Sequence, residues 1–218
     1  MSTFITANTS AVPPPRWRNC FPLRHHVARD WPSALQISPL TGPLDRLSGR
    51  RVLALLDTEN LTISCRNLGY ELNYAKLGVL LAHATCSLYL HAVLSVENGD
   101  LLDRTHMESA GFQVHTRLIR YLPGGRKAAN ADNLFAFKAG ALITRSTAEV
   151  VLLGSGDGQL CDDVVQCVKA LPGERQVMTL SVAGATSSLL NARTHGLISA
   201  NIEIGLDLLA PTWAGVAL

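Results

Sequence analysis

From residue 50 onward, continuous apolar runs alternate with stretches whose apolar positions recur at helical spacing. "RVLALLD" (51–57), "CSLYLHAVLSV" (86–96), "AEVVLLG" (148–154) and "RQVMTLSVA" (175–183) read as buried strands. "FQVHTRLIRYL" (112–122) alternates as a strand does, and "ANIEI" (200–204) reads as a last edge strand. Between them, "NYAKLGVLLAHAT" (73–85), "DRTHMESAG" (103–111), "ADNLFAFKAGALITR" (131–145), "GQLCDDVVQCVKAL" (158–171) and "ATSSLLNART" (185–194) read as helices. In the helix over 131–145 the spacing sets Leu134, Phe137, Ala141 and Leu142 on one side. The strands are too continuously apolar to keep a wet face, so both faces of the sheet need a cover. The expectation is an α/β protein, three-layer α/β/α, with a mostly parallel central sheet of about five strands and right-handed crossovers.

The chain divides unevenly around this body. Residues 1–49 carry the run "VPPP", no sustained period, and Arg16, Arg18, Arg24, Arg29, Arg46 and Arg50 at its edge against Asp30 and Asp45; they read as a loosely ordered basic arm. Residues 50–204 form the expected domain. Residues 205–218, "GLDLLAPTWAGVAL", form an apolar tail able to dock on the body or on a second copy, which leaves room for a homodimer.

At 218 residues the length suits one domain with a real core. No apolar run approaches the roughly 20 residues that span a bilayer, and the first residues lack the apolar centre of a secretory signal. The five cysteines form no CxxC pair, which argues against a disulfide framework or a zinc site. A cytoplasmic protein with no membrane partner is the expectation. A net charge of +2 supplies no bulk field for nucleic acid. The local cluster "RLIRYLPGGRK" does more, because Arg117, Arg120, Arg126 and Lys127 could grip phosphates, with solvated surface charge as the plain alternative. Aromatic residues make up 6% of the chain, too few for an extensive base-stacking surface.

Chemistry enters with the acids. In an open parallel sheet, functional groups gather outside the carboxyl ends of the strands. Asp57 ends the first strand, Asp157 lies just past the strand over 148–154, and Asp132 opens the helix after the "PGGRKAAN" loop. Three acids from distant segments should therefore meet at one edge of the sheet. Close carboxylates repel, so one must take up a proton or the group must recruit a cation. A hard divalent ion such as Mg²⁺ or Mn²⁺ suits oxygen ligands and phosphoryl chemistry. Each acid also has a structural alternative. Asp157 with Ser155, and Asp132, are good helix caps, and "DTEN" at Asp57 is good turn chemistry. The histidines show no metal-ligand spacing, and His91 and His115, lying in strands, read as structural.

The segments "LLDTENL" (55–61), "KAANADNLFAF" (127–137) and "LLGSGDGQL" (152–160) together resemble the NYN group of PIN-like nucleases. Asp57 and Asn60 match that family's Asp-x-x-Asn after the first strand, Asp132 its basic-flanked acid at a central helix, and Ser155, Gly156, Asp157 and Gly158 its Ser-Gly-Asp-Gly turn. The stretch "SVAGATSSLLNARTHGLI" is similar to the family's closing strand and serine-rich helix, so the likeness covers about residues 50–200.

The resemblance implies Mg²⁺- or Mn²⁺-dependent cleavage of RNA, with Asp57, Asp132 and Asp157 holding the ion. It casts Asn60 as orienting a phosphate or a metal-bound water, and Ser155 as hydrogen-bonding a carboxylate or phosphate. Backbone N–H groups of Gly156 and Gly158 would meet substrate at the helix start, and Arg126 and Lys127 would hold the RNA backbone. Two departures stand out. Gln159 replaces the family's next acid, for which Asp162 or Asp163 would have to compensate, and Lys138 sits where another acid is expected. These departures keep two other readings open: a non-catalytic RNA-binding or scaffolding protein on the same fold, and a phosphatase-like hydrolase of small phosphoesters.

Overall fold

The computed structural model describes residues 44–98, 102–124, 127–190 and 196–211. The strands are β1 (Arg51–Asp57), β2 (Tyr70–Leu72), β3 (Ser87–Val96), β4 (Gln113–Leu118), β5 (Arg120–Tyr121), β6 (Lys127–Ala128), β7 (Val150–Gly154), β8 (Gln176–Val182), β9 (Ile198–Ile204) and β10 (Leu209–Pro211). The helices are α1 (Thr58–Asn67), α2 (Tyr74–Ala84), α3 (Leu102–Ser109), α4 (Ala131–Arg145) and α5 (Gly158–Ala170).

Six strands form one sheet in the order β4-β3-β1-β7-β8-β9, every neighbouring pair parallel. The apolar runs explain the layering. Successive strand residues point to opposite faces. On β1, Val52, Ala54 and Leu56 enter a core with Leu61 of α1, Leu77 and Leu81 of α2 and Met107 of α3. Leu53 and Leu55 enter a second core with Phe135 of α4 and Val164 of α5. The protein is therefore a three-layer α/β/α fold with a parallel central sheet. Among the described residues, no helix is long and apolar enough to cross a membrane.

The route of the chain locates the site. From β1 it moves outward through β3 to β4, then returns through α4 to β7 on the other side of β1. The crevice between the carboxyl ends of β1 and β7 is thus the topological switch point, where ligands of such sheets bind.

Several expectations need correction. "DTEN" begins helix α1 instead of a turn, with Asp57 as its cap. The strand expected over 112–122 stops at Leu118, and Arg120–Tyr121 pair with Lys127–Ala128 in a small hairpin. Of the helix expected over 185–194, the described part is a 3-10 turn at Ser188–Leu190; residues 191–195 lie outside the described residues. The edge strand expected over 200–204 is present as β9, which starts two residues earlier at Ile198 and makes the main sheet six strands. On α4 the buried face is Ala131, Phe135, Ala139 and Ile143, whereas Phe137 is 71% exposed. That helix is apolar on nearly every side, so its period does not choose a face; small Ala131 and Ala139 let the backbone approach the sheet, and Phe135 fills the space between.

The body also takes in residues on either side of 50–204. Leu47 is fully buried in the first core, as is Leu208, and β10 pairs antiparallel with β2. Residues 1–43 and 212–218, most of the expected arm and tail, lie outside the described residues.

Candidate functional site

Two short sequence segments build the crevice. Asp57, 4% exposed, ends β1 and caps α1; its Oδ1 accepts the Asn60 N–H at 3.1 Å. Ser155, fully buried, follows β7 and donates its hydroxyl to Asp57 Oδ2 at 3.2 Å. The Asp157 N–H donates to Ser155 Oγ at 3.2 Å. Asp157, itself exposed, caps α5, its Oδ1 accepting Gln159 N–H at 2.9 Å and Leu160 N–H at 3.1 Å. Asn60 ties the two segments together, because its Oδ1 accepts the Gly156 N–H at 2.7 Å. So Asp57 and Asp157 are caps, whereas Asn130 and not Asp132 holds the cap position of α4, and the structure brings Asp57, Asn60, Ser155, Gly156 and Asp157 into one hydrogen-bonded group.

The electrostatics set Asp57 apart. Burial pushes its carboxyl up to about 6. The hydrogen bonds from Asn60 and Ser155 pull it down, and the charges of Asp132 and Glu59 add to the rise. A buried carboxylate with two donors and two acidic neighbours is a costly arrangement, of a kind found at functional sites. Burial likewise pushes the Cys161 thiol up, with Asp157 and then Asp57 adding to it, so both carboxylates lie within reach of one side chain.

The remaining candidates fall at different distances from this group. Asp132, exposed, lies in the first turn of α4 and is felt at Asp57 through its charge. Asp162 accepts a hydrogen bond from Gln166 along α5 at 3.2 Å, and Asp163 and Gln159 are exposed on that helix. Lys138 stands by a stacked pair, His91 and His115, whose rings lie 5.3 Å apart with Nδ1···Nε2 at 3.2 Å. Burial, then Lys138, then His91 hold His115 down at about 4. Arg126 lies outside the described residues, and Lys127 is described through its backbone in β6.

The two turn glycines also have a packing role. Gly156 spends its N–H on Asn60 and not on a substrate, and Asp157 takes the Gln159 and Leu160 N–H groups in the first turn of α5. A Cβ at Gly156 would lie 2.7 Å from the Ala185 carbonyl oxygen, and one at Gly158 would collide with Ser187 Oγ. These glycines let the segment after β8 close over the turn, where the Ser187 N–H donates to the Gly156 oxygen at 3.1 Å.

Other contributors were missed by sequence reasoning. Glu59, beside Asp57, accepts from the Ser95 hydroxyl at 2.7 Å. Tyr74 donates to the Thr58 carbonyl at 3.1 Å and props the start of α1. Glu59 is an unspecified position of the Asp-x-x-Asn element and Tyr74 lies in no motif; only the tertiary contacts reveal them.

A divalent cation is compatible with the chemistry of this donor set, which is all oxygen. Among the described residues, no three His, Cys, Asp or Glu side chains stand together as ligands for one ion. The arrangement therefore fits a hydrated ion held by one or two carboxylates, as Mg²⁺ is commonly held, and not a cage of three.

No family model matches the chain, and no curated protein sequence matches it. The fold is similar to the crystal structure of a protein of unknown function from Vibrio parahaemolyticus. The TM-score is 0.59 at 18% identity, covering 74% of this chain and 97% of that one. At that identity the likeness speaks to the fold alone.

Proposed function

We propose that the protein is a metal-dependent endoribonuclease of the PIN-like kind, working at the crevice between β1 and β7. The observation that carries this reading is Asp57: a buried carboxylate, raised to about 6, at the switch point and pinned to the Ser155–Asp157 turn. Such a group is expensive to keep unless something cationic meets it.

Asp57 would be the main ligand of a hydrated Mg²⁺ or Mn²⁺, and Asp157 and Asp132 would be the candidates to hold its waters or make a second contact. When bound, the ion would supply charge neutralisation for a phosphodiester and lower the pKa of a water. Ser155 holds Asp57 Oδ2, and Asn60 N–H holds Oδ1, so the carboxylate is oriented before any ligand arrives. Asn60 spends its amide oxygen inside the protein and keeps its NH₂ as the end that can reach a phosphate. Because Asp57 must be ionised to bind a cation, occupancy should rise as pH passes about 6.

The test is a mixed RNA pool incubated with the full chain, with Mn²⁺ or with chelator, alongside Asp57→Asn. Metal-dependent cleavage lost by at least about 100-fold in the variant supports the reading. RNA left intact while a generic phosphomonoester turns over would favour a phosphatase-like hydrolase. A second reading, RNA binding without cleavage, is favoured by Gln159 and by the lack of three gathered ligands among the described residues. Chelator-insensitive binding with no cleavage would establish it.

A further inference from the structure

Strand β4 is an edge of the sheet, and it and the chain leaving it carry two arginines. Arg117 and Arg120 are exposed and form no ion pair among the described residues. Together with Leu118 they line two adjoining grooves. One, of about 490 Å³, is completed by Asn98, Thr116 and Ile119. The other, of about 210 Å³, runs under the β5–β6 hairpin to Ala129 and Asn130. Asn130 caps α4 with a left-handed backbone (φ 47°), two residues before Asp132. Among the described residues, no acid lines either groove. Around the arginines, Leu118, Tyr121 and Leu122 are exposed by 57%, 59% and 41%.

We infer that this edge is a track for single-stranded RNA, in which Arg117 and Arg120 bind successive phosphates and Tyr121 offers its ring to an unstacked base. The inference rests on the nuclease reading for its substrate and adds where the strand runs: away from the acid rim, past Asn130, and out over β4. Guanidinium groups take phosphates in a forked geometry. An exposed ring beside them is what a single strand uses and a duplex cannot, since its bases are already stacked. Aromatic residues are scarce in the chain as a whole, but here one directly follows Arg120. The rival account is that charges on an edge strand keep copies from pairing with each other.

The experiment measures binding of a short labelled single-stranded RNA and its duplex to the full chain in chelator, across a salt series. Arg117→Gln with Arg120→Gln should weaken single-strand binding at least tenfold. It should also flatten the slope of log affinity against log salt by about 1.4, two phosphate contacts at roughly 0.7 each. The double lysine variant should keep that slope. Tyr121→Ala should weaken single-strand binding about tenfold, and Tyr121→Phe should not. Affinity and slope unchanged in the glutamine variant would overturn the inference, as would self-association of that variant with RNA binding intact. Equal loss of duplex and single-strand binding in Tyr121→Ala would overturn the single-strand assignment.

The two ideas fail separately. Mn²⁺-dependent cleavage retained at full rate with unaltered binding in the glutamine variant removes the track and leaves the nuclease. Track-dependent binding without cleavage by the unmodified chain removes the nuclease and leaves the track.

Discussion

Two polar groups bridge neighbouring strands of the same sheet, one within β8 and β9 and one at the carboxyl ends of β1 and β7, and they are built to different ends. Between β8 and β9, Thr179 donates to Asn201 Oδ1 at 2.7 Å and Ser181 approaches the same oxygen at 3.2 Å. Ser181 and Thr186 share a hydrogen bond at 2.6 Å, and Thr186 reaches the Val182 carbonyl. Every one of those side chains is neutral. Between β1 and β7 the corresponding group holds Asp57, a carboxylate raised to about 6 with two acids nearby. Hydroxyls and amides suffice to satisfy the polar groups between two strands, as β8 and β9 demonstrate. A buried carboxylate at the end of β1 carries a desolvation cost that the neutral group avoids, and the proposed site rests on that cost.

The sharpest way to break this contrast is pH. Asp57 titrates near 6 in the folded protein against 3.8 unperturbed. Its folded pKa is raised, so the folded state holds a proton that the unfolded chain has released between those values. Its contribution to stability is full below about pH 3.8 and is lost as pH rises through about 6. A shift of this size corresponds to about 3 kcal/mol. The depressed His91 and His115 slope the other way over much of the same range, so the measure is the difference between the protein and Asp57→Asn in chelator. That difference should grow in favour of the variant between pH 4 and 6.5, and Mn²⁺ should shrink it. A difference curve flat with pH would mean Asp57 carries no buried charge cost.

A smaller effect tests the closure over the turn. Gly156→Ala would place its Cβ 2.7 Å from the Ala185 oxygen and 3.2 Å from Asn60 Oδ1. Overpacking of this kind costs about 2 kcal/mol, a fall of roughly 4–8 °C in melting temperature for a chain of this size. Gly140→Ala on α4, with nothing within 4 Å, should be neutral or slightly stabilising. If the two variants melt together, the segment after β8 does not press on the turn.

The smallest effect concerns the neutral group. Thr179→Val removes one hydrogen bond and leaves Asn201 Oδ1 with Ser181, a loss of about 1 kcal/mol. Denaturant unfolding should give the same loss at pH 5 and pH 8, with or without Mn²⁺. A loss that tracks pH or metal would mean the two polar groups are coupled, and the contrast between them would fall.

The layer architecture could be read from the chain because continuous apolar runs leave a strand no wet side. β7, buried at all five positions, is the clearest case. Helix α4 was legible in extent but not in orientation, since an all-round apolar helix carries no directional signal, and Phe137 proved to face outward. The start of α1 was misread because Asp57-Thr58-Glu59-Asn60 suits a turn and a helix cap equally; packing of Leu61 and Cys65 into the first core decides for the helix. At the site, Asp57, Asn60, Ser155 and Asp157 were legible as polar residues breaking off apolar runs. Their partners were not: Ser95 with Glu59, Tyr74 with Thr58, and Ser187 over Gly156 are contacts between distant segments with no local pattern.

By itself the sequence determined which strand runs must be buried and that Asp57 and Asp157 follow two of them at helix starts, because hydrophobic runs and capping chemistry are local properties of the chain. Tertiary structure alone decided which acid lost its water. Asp57 and Asp157 both end strand units and both cap helices, yet one is 4% exposed and raised to about 6 while the other stands in solvent. Desolvation depends on every segment that packs around a group, and no stretch of sequence contains that sum.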